Sequence, residues 1–173
     1  HIVMSYDGSQ IKLYVNGVLK ATQNYSGALN TSGNSGISIG ESNQANGYWY
    51  HTDGKIDNVG IWNRALTEKQ LRFIINQEII QNGTVTSGTI IPSSIVKNDV
   101  NDLRWTSLIA YYSMNSFIGT HIDDDSWNNN RGSLFTQNQV TVTTQSAPMP
   151  YETAADGLWS NASTWVNGSI QSI

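Results

Sequence analysis

Apolar and polar residues alternate through the N-terminal third of the chain in short runs, each ended by a turn dipeptide. Ile2-Val3-Met4-Ser5-Tyr6 leads into Asp7-Gly8, and Gln10-Ile11-Lys12-Leu13-Tyr14-Val15 leads into Asn16-Gly17. Asp-Gly and Asn-Gly between such runs signal hairpins, because these residues tolerate the positive φ of primed turns. In the second run Ile11, Leu13 and Val15 share one face and Lys12 and Tyr14 the other, the period-two pattern of a half-buried strand. Val18 to Thr22 returns as the next strand. Residues 26–36, rich in Ser, Gly, Asn and Thr, read as a loop. Gly36 to Gly40 reads as a short strand, and residues 41–54 as a polar loop holding Tyr48, Trp49 and Tyr50. Lys55 to Trp62 is predicted to be a strand with Val59 and Ile61 on one face.

One helix is predicted. Thr67-Glu68-Lys69-Gln70 has the form of a capping box, with Thr67 as N-cap and Gln70 reaching back. Leu71, Ile74, Ile75 and Glu78 follow at helical spacing, and Asn82-Gly83 would end the helix. Residues 83–104 have the composition of a linker holding at most one weak strand. A second block spans residues 105–146. It opens at Trp105, with strands expected over Leu108 to Met114, Gly132 to Thr136 and Gln139 to Thr144 and an acidic, Asn-rich loop over residues 119–132. Residues 147–173 change character again, with two prolines and then a tryptophan-containing polar segment.

Composition narrows the class. Charged residues are 13% of the 173, the net charge is −4, and cysteine is absent. Disulfide frameworks and thiolate metal sites are thereby excluded. A weakly acidic chain does not suit a nucleic-acid partner or an anionic membrane surface, and no apolar run is long enough to insert in a membrane. Asn, Ser and Thr make up about three residues in ten. A polar, weakly charged, glycine-punctuated chain with six Trp and eight Tyr reads as an all-β domain of extracellular type.

The segments His1 to Gly8, Leu13 to Gly17, Ile37 to Gly40 and Gly54 to Leu66 together resemble the laminin G-like domain of the concanavalin A-like lectin/glucanase superfamily. The resemblance covers about the first 78 residues and implies an antiparallel jelly-roll β-sandwich. Residues 1–82 would be the second half of such a sandwich. Leu108 to Ser113 and the loop Asp124 to Gly132 are similar to the first half of the same fold, with Trp127 where the pattern usually has glycine. Asp156 to Gly168 resembles an entry segment of large bacterial surface adhesins of Bacteroidetes type. The halves stand in reversed order. Either the chain crosses neighbouring domains, or the halves close on each other as a permuted sandwich.

Asp57 shares strand parity with Val59 and Ile61, so its carboxylate is expected on the core face, where it needs a partner. Asp124, Ser126, Asn128 and Asn130 place side-chain oxygens at every second position. That spacing suits the many oxygen ligands of Ca²⁺, and equally an Asx cluster capping its own backbone. The resemblance implies a structural calcium held by Asp57 and the Asp124 loop. Tyr48, Trp49 and Tyr50 could form a platform for stacked sugars, or Trp49 could fold down over the sandwich end. Trp62 and Trp105 are expected in the core.

Catalysis is not expected. Glu41, Glu68, Glu78 and Glu152 are isolated, and neighbouring carboxylates in Asp123 to Asp125 should diverge. The leading expectation is a non-enzymatic adhesion module of a secreted or cell-surface protein, binding a glycan or an extracellular protein surface. An accessory domain of a carbohydrate-active enzyme and a structural spacer are the alternatives.

Overall fold

The structure, a computed structural model, describes residues 1–28, 36–43, 49–75, 77–89, 103–135, 141–142 and 153–165. Strands β1 (Ile2–Tyr6), β2 (Gln10–Val15) and β3 (Val18–Asn24) form an antiparallel meander. Asp7 Oδ1 closes the first turn by accepting from the backbone N–H of Ser9 at 2.9 Å and of Gln10 at 2.8 Å. In the second turn Asn16 and Gly17 have φ of 48° and 72°, both positive as a type I′ turn requires.

The buried face of β2 is the opposite of the one its apolar residues suggest. Tyr14 is 7% exposed and packs with Leu66, Leu71 and Leu103, whereas Leu13 is 38% exposed. Leu13 lies opposite Met4, which is 77% exposed. The reason is the helix. Gly17 lets Arg72 and Ile75 approach so closely that an added Cβ would meet Arg72 Cγ at 3.1 Å. The helix thus settles on the Tyr14 side, and a tyrosine ring offers a large apolar body to bury there. Alternation sets which residues share a face, but the neighbouring element decides which face is covered.

A short antiparallel pair follows, β4 (Glu41–Asn43) with β5 (Trp49–His51). It replaces the strand expected over Gly36 to Gly40, where Gly40 at φ 82° interrupts extended backbone. Strand β6 (Val59–Trp62) is shorter than expected, since Asn58 at φ 50° breaks the run. Helix α1 (Glu68–Ile74) starts on the predicted capping box: Gln70 N–H donates to Thr67 Oγ1 at 3.2 Å, and Thr67 N–H to Gln70 Oε1 at 3.0 Å.

The helix ends a turn and more before Asn82-Gly83. That dipeptide belongs instead to a hairpin between β7 (Ile79–Asn82) and β8 (Val85–Gly88). Gly83 has φ 60° at the first central position of the turn. The β-branched pair Ile79-Ile80 loses rotamer freedom in a helix and fits a strand, so the hairpin signal wins over the helical spacing.

After a 3₁₀ turn at Trp105–Ser107, strand β9 (Leu108–Tyr112) pairs antiparallel with β6, with Val59 opposite Tyr112. Strands β10 (His121–Ile122) and β11 (Gly132–Ser133) form a two-stranded pair beneath the acidic loop. The strand expected from Gly132 to Thr136 therefore has two residues in the described part. Residues 141–142 of the strand expected over Gln139 to Thr144 are described and are not strand, and the rest lies outside the described residues. Near the C-terminus Thr153 bridges to Trp165, whose ring meets the edge of Trp159 at 4.5 Å.

Among the described residues two buried clusters make the core. Tyr14, Leu66, Leu71 and Leu103 form one, and Ile79, Trp105, Leu108 and Tyr111 the other. Trp62 and Ile74 touch both clusters. Among the described residues no helix is long and apolar enough to cross a membrane.

Candidate functional site

The loop between β10 and β11 brings Asp124, Ser126, Asn128 and Asn130 together against β9. Asp124 is buried, and its Oδ1 accepts from Tyr111 N–H and Ser126 N–H at 2.9 Å each. Its Oδ2 accepts from Asn130 N–H at 3.0 Å. Burial works against its charge, but the hydrogen bonds from Ser126, Tyr111 and Asn130 outweigh it and hold the carboxyl below the usual range.

The other three side chains act as donors. The Ile109 carbonyl accepts from Ser126 Oγ at 3.2 Å, Asn128 Nδ2 at 3.1 Å and Asn130 Nδ2 at 2.8 Å. Asn128 Nδ2 also reaches the Leu108 carbonyl at 2.8 Å. Only the amide nitrogen can face a carbonyl oxygen, so the partners fix these orientations. Trp105 Nε1 pins the loop from below by donating to the Ser126 carbonyl at 3.2 Å.

Calcium needs six to eight oxygens converging on one point. Here a hydroxyl and two amides turn hydrogens toward β9, and both carboxylate oxygens of Asp124 are already occupied by backbone. This arrangement does not fit the ion; it caps the loop's own backbone and that of the neighbouring strand. Asp57 lies just before β6, beyond the break at Asn58, so strand parity does not govern it. Its Oδ2 accepts from Asn58 Nδ2 at 2.9 Å. Burial chiefly raises its pKa; the bonds from Asn58 oppose this and the nearby charge of Glu78 adds to it. Among the described residues Asp57 and Asp124 share no hydrogen-bond partner.

Of the proposed aromatic platform, Tyr50 stands on β5 and is 61% exposed. Tyr48 and the Trp49 side chain lie outside what the structure describes. Trp105 is buried as expected, and Trp62 is half-buried between the clusters.

An open groove of about 680 Å³ runs between the β7–β8 hairpin and the turn at residues 124–127. Glu78 and Gln81 line it from the hairpin side, and Asn115, Asp125 and Trp127 from the other; the buried Tyr111 also contributes. Tyr111 OH donates to Asn58 Oδ1 and accepts from Ile79 N–H at 3.3 Å. Its phenol is pushed up to about 12, first by burial and then by the negative charges of Glu78, Asp125 and Asp57, against the opposing bond from Ile79.

The groove carboxylates are each held by one oxygen. Glu78 Oε1 accepts from Asn115 Nδ2 at 2.9 Å, and Asp125 Oδ2 from Ser113 N–H at 3.2 Å. The run Asp123 to Asp125 does diverge, as expected: Asp123 pairs with Arg131 at 2.9 Å, Asp124 turns inward, and Asp125 lines the groove. Trp127 is 80% exposed and holds φ 69°. The sequence signal for it was a tryptophan where the pattern that this loop resembles has glycine, in a conformation that glycine takes freely. Glu41, Glu68 and Glu78 fall on β4, α1 and the approach to β7. Among the described residues no three His, Asp or Glu side chains form a group that could hold a metal ion.

No curated protein and no solved structure matches the chain. Residues 1–72 of the 173, which run from β1 into α1, match a laminin G-type family model of the concanavalin A-like lectin/glucanases superfamily. The antiparallel strands and the one α-helix of the described residues are consistent with a β-sandwich of that superfamily, in fragmentary sheets.

Proposed function

We propose that this chain is a non-enzymatic binding module of a secreted or cell-surface protein, and that its ligand is a glycan taken up by loops between the strands. The superfamily match over residues 1–72 carries this reading, since domains of that superfamily bind carbohydrates or protein surfaces in general. The exposed Tyr50 supports it, as an aromatic face on which a sugar ring can stack. A further part of the proposal is that residues 1–82 and 105–146 are two halves of one sandwich in reversed order, closing on each other. The pairing of β6 with β9 and the packing of Trp105 and Leu108 with Ile79 support that closure.

The test is a glycan array followed by titration of the whole chain with any hit. Binding that falls about tenfold in Trp49→Ala or Tyr50→Ala is the expected result, in line with the loss of one aromatic contact. If no glycan binds at millimolar concentration, the reading is wrong.

A further inference from the structure

The groove between the β7–β8 hairpin and the 124–127 turn is not explained by the Tyr48 to Tyr50 platform, and three observations give it a chemistry. Its volume, about 680 Å³, lies in the range of small-ligand sites. Trp127 beside it is 80% exposed, although it holds a left-handed φ of 69°. A large apolar ring kept in the solvent on strained backbone fits a surface that waits for a partner. The charge of the groove is one-sided: Glu78 and Asp125 line it, and among the described residues no Lys, Arg or His does. Each carboxylate is oriented by a single bond to one oxygen, and among the described residues the second oxygen of each has no hydrogen-bond partner.

We infer that this groove binds an amine-bearing saccharide, such as an oligomer of free hexosamine. Its ring would stack on Trp127, and its ammonium and hydroxyl groups would donate to Glu78 and Asp125. A protonated amine gains from both the carboxylates and the indole face. Gln81 and Asn115 supply amide groups suited to hydroxyls. An acidic sugar such as a uronate would meet two like charges and be rejected. This inference rests on the glycan-binding reading and adds to it a site and a ligand class.

The test is calorimetric titration of the whole chain at about pH 6, where sugar amines are largely protonated, as α-amino groups are. The probes are a glucosamine tetramer, its N-acetylated counterpart, a galacturonate tetramer and tetralysine. The glucosamine tetramer should bind about tenfold tighter than the N-acetylated form and weaken as salt rises. Trp127→Ala and Glu78→Gln should each reduce that affinity about tenfold. Glu78→Gln keeps the side chain's shape, so a parallel loss in both variants does not reflect unfolding. Saccharide binding that neither variant changes, or equal affinity for the amine and acetylated forms, overturns the groove inference while leaving the glycan-binding reading intact. Tetralysine binding tighter than any saccharide overturns the choice of ligand class. Failure of every saccharide here and on the array overturns both.

Discussion

Replacing Asn128 by Asp exchanges one NH₂ group for one oxygen and separates two accounts of the 124–130 loop. In the structure Asn128 Nδ2 donates to the Leu108 carbonyl at 2.8 Å, the Ile109 carbonyl at 3.1 Å and Ser126 Oγ at 3.0 Å. A carboxylate there cannot donate, and it would face two carbonyl oxygens. Each neutral hydrogen bond contributes about 0.5–1.5 kcal/mol net. Losing the two carbonyl bonds should therefore destabilise the fold by about 1–3 kcal/mol. Asn128 is an exposed residue, so the new charge can rotate outward into water and the upper end of that range is a ceiling. Urea unfolding followed by tryptophan fluorescence, with the midpoint converted through the m-value, measures the loss. The same titration with millimolar calcium supplies the contrast. Were Asn128 a calcium ligand, a carboxylate would strengthen the site, and calcium would restore or raise stability by binding only the native state. An Asn128→Asp protein as stable as the parent, or one that calcium stabilises by more than about 1 kcal/mol, would refute the capping account.

Asp124→Asn leaves one acceptor oxygen but turns an NH₂ toward Asn130 N–H, and should lower stability near neutral pH by about 2 kcal/mol, the scale of one charge-assisted hydrogen bond. Asp124 is held below its ordinary range, so its contribution is present above about pH 4 and is lost as pH falls through the lower folded value. The stability gap between parent and variant should close as pH drops toward about 2, and a gap that widens on acidification contradicts this. At Trp127, glycine relieves a left-handed strain of about 1–2 kcal/mol and adds back about 0.5–1 kcal/mol of unfolded-state entropy. Trp127→Gly should thus match or slightly exceed the parent in thermal melts; a loss above about 1 kcal/mol would show that the ring is needed for folding.

Local signals carried through where one short stretch of chain decides the outcome. The capping box at Thr67 and Gln70 and the Asn16-Gly17 turn formed as read, because both are closed by bonds within four residues. The covered face of β2 could not be read, since alternation is symmetric and α1 breaks the symmetry from fifty residues away. The helix was extended too far because Glu78 and the isoleucines keep helical spacing while Ile79 to Gly83 also spell a hairpin; pairing with β8 settles it. At the acidic loop the donor spacing was legible, but spacing does not say whether an amide presents its oxygen or its hydrogens. That depends on the carbonyls of β9, which sit about twenty positions earlier in the chain. Trp127 and Glu78 were assigned no binding role because the groove exists only once the β7–β8 hairpin stands beside the loop.

The seam between β6 and β9 also bears on how fast the molecule folds. The β1–β3 meander and the β7–β8 hairpin join neighbours in the chain, and such hairpins close in about 1–10 μs. Val59 and Tyr112 lie more than fifty positions apart, so their pairing must first offset the entropy of closing a long loop. Folding of the core should therefore be limited by this one registration event rather than by any single hairpin. Until it happens, Trp62 and Leu108 remain unpaired along a bare strand edge, so the kinetic window before the seam closes is when the chain is most open to aggregation.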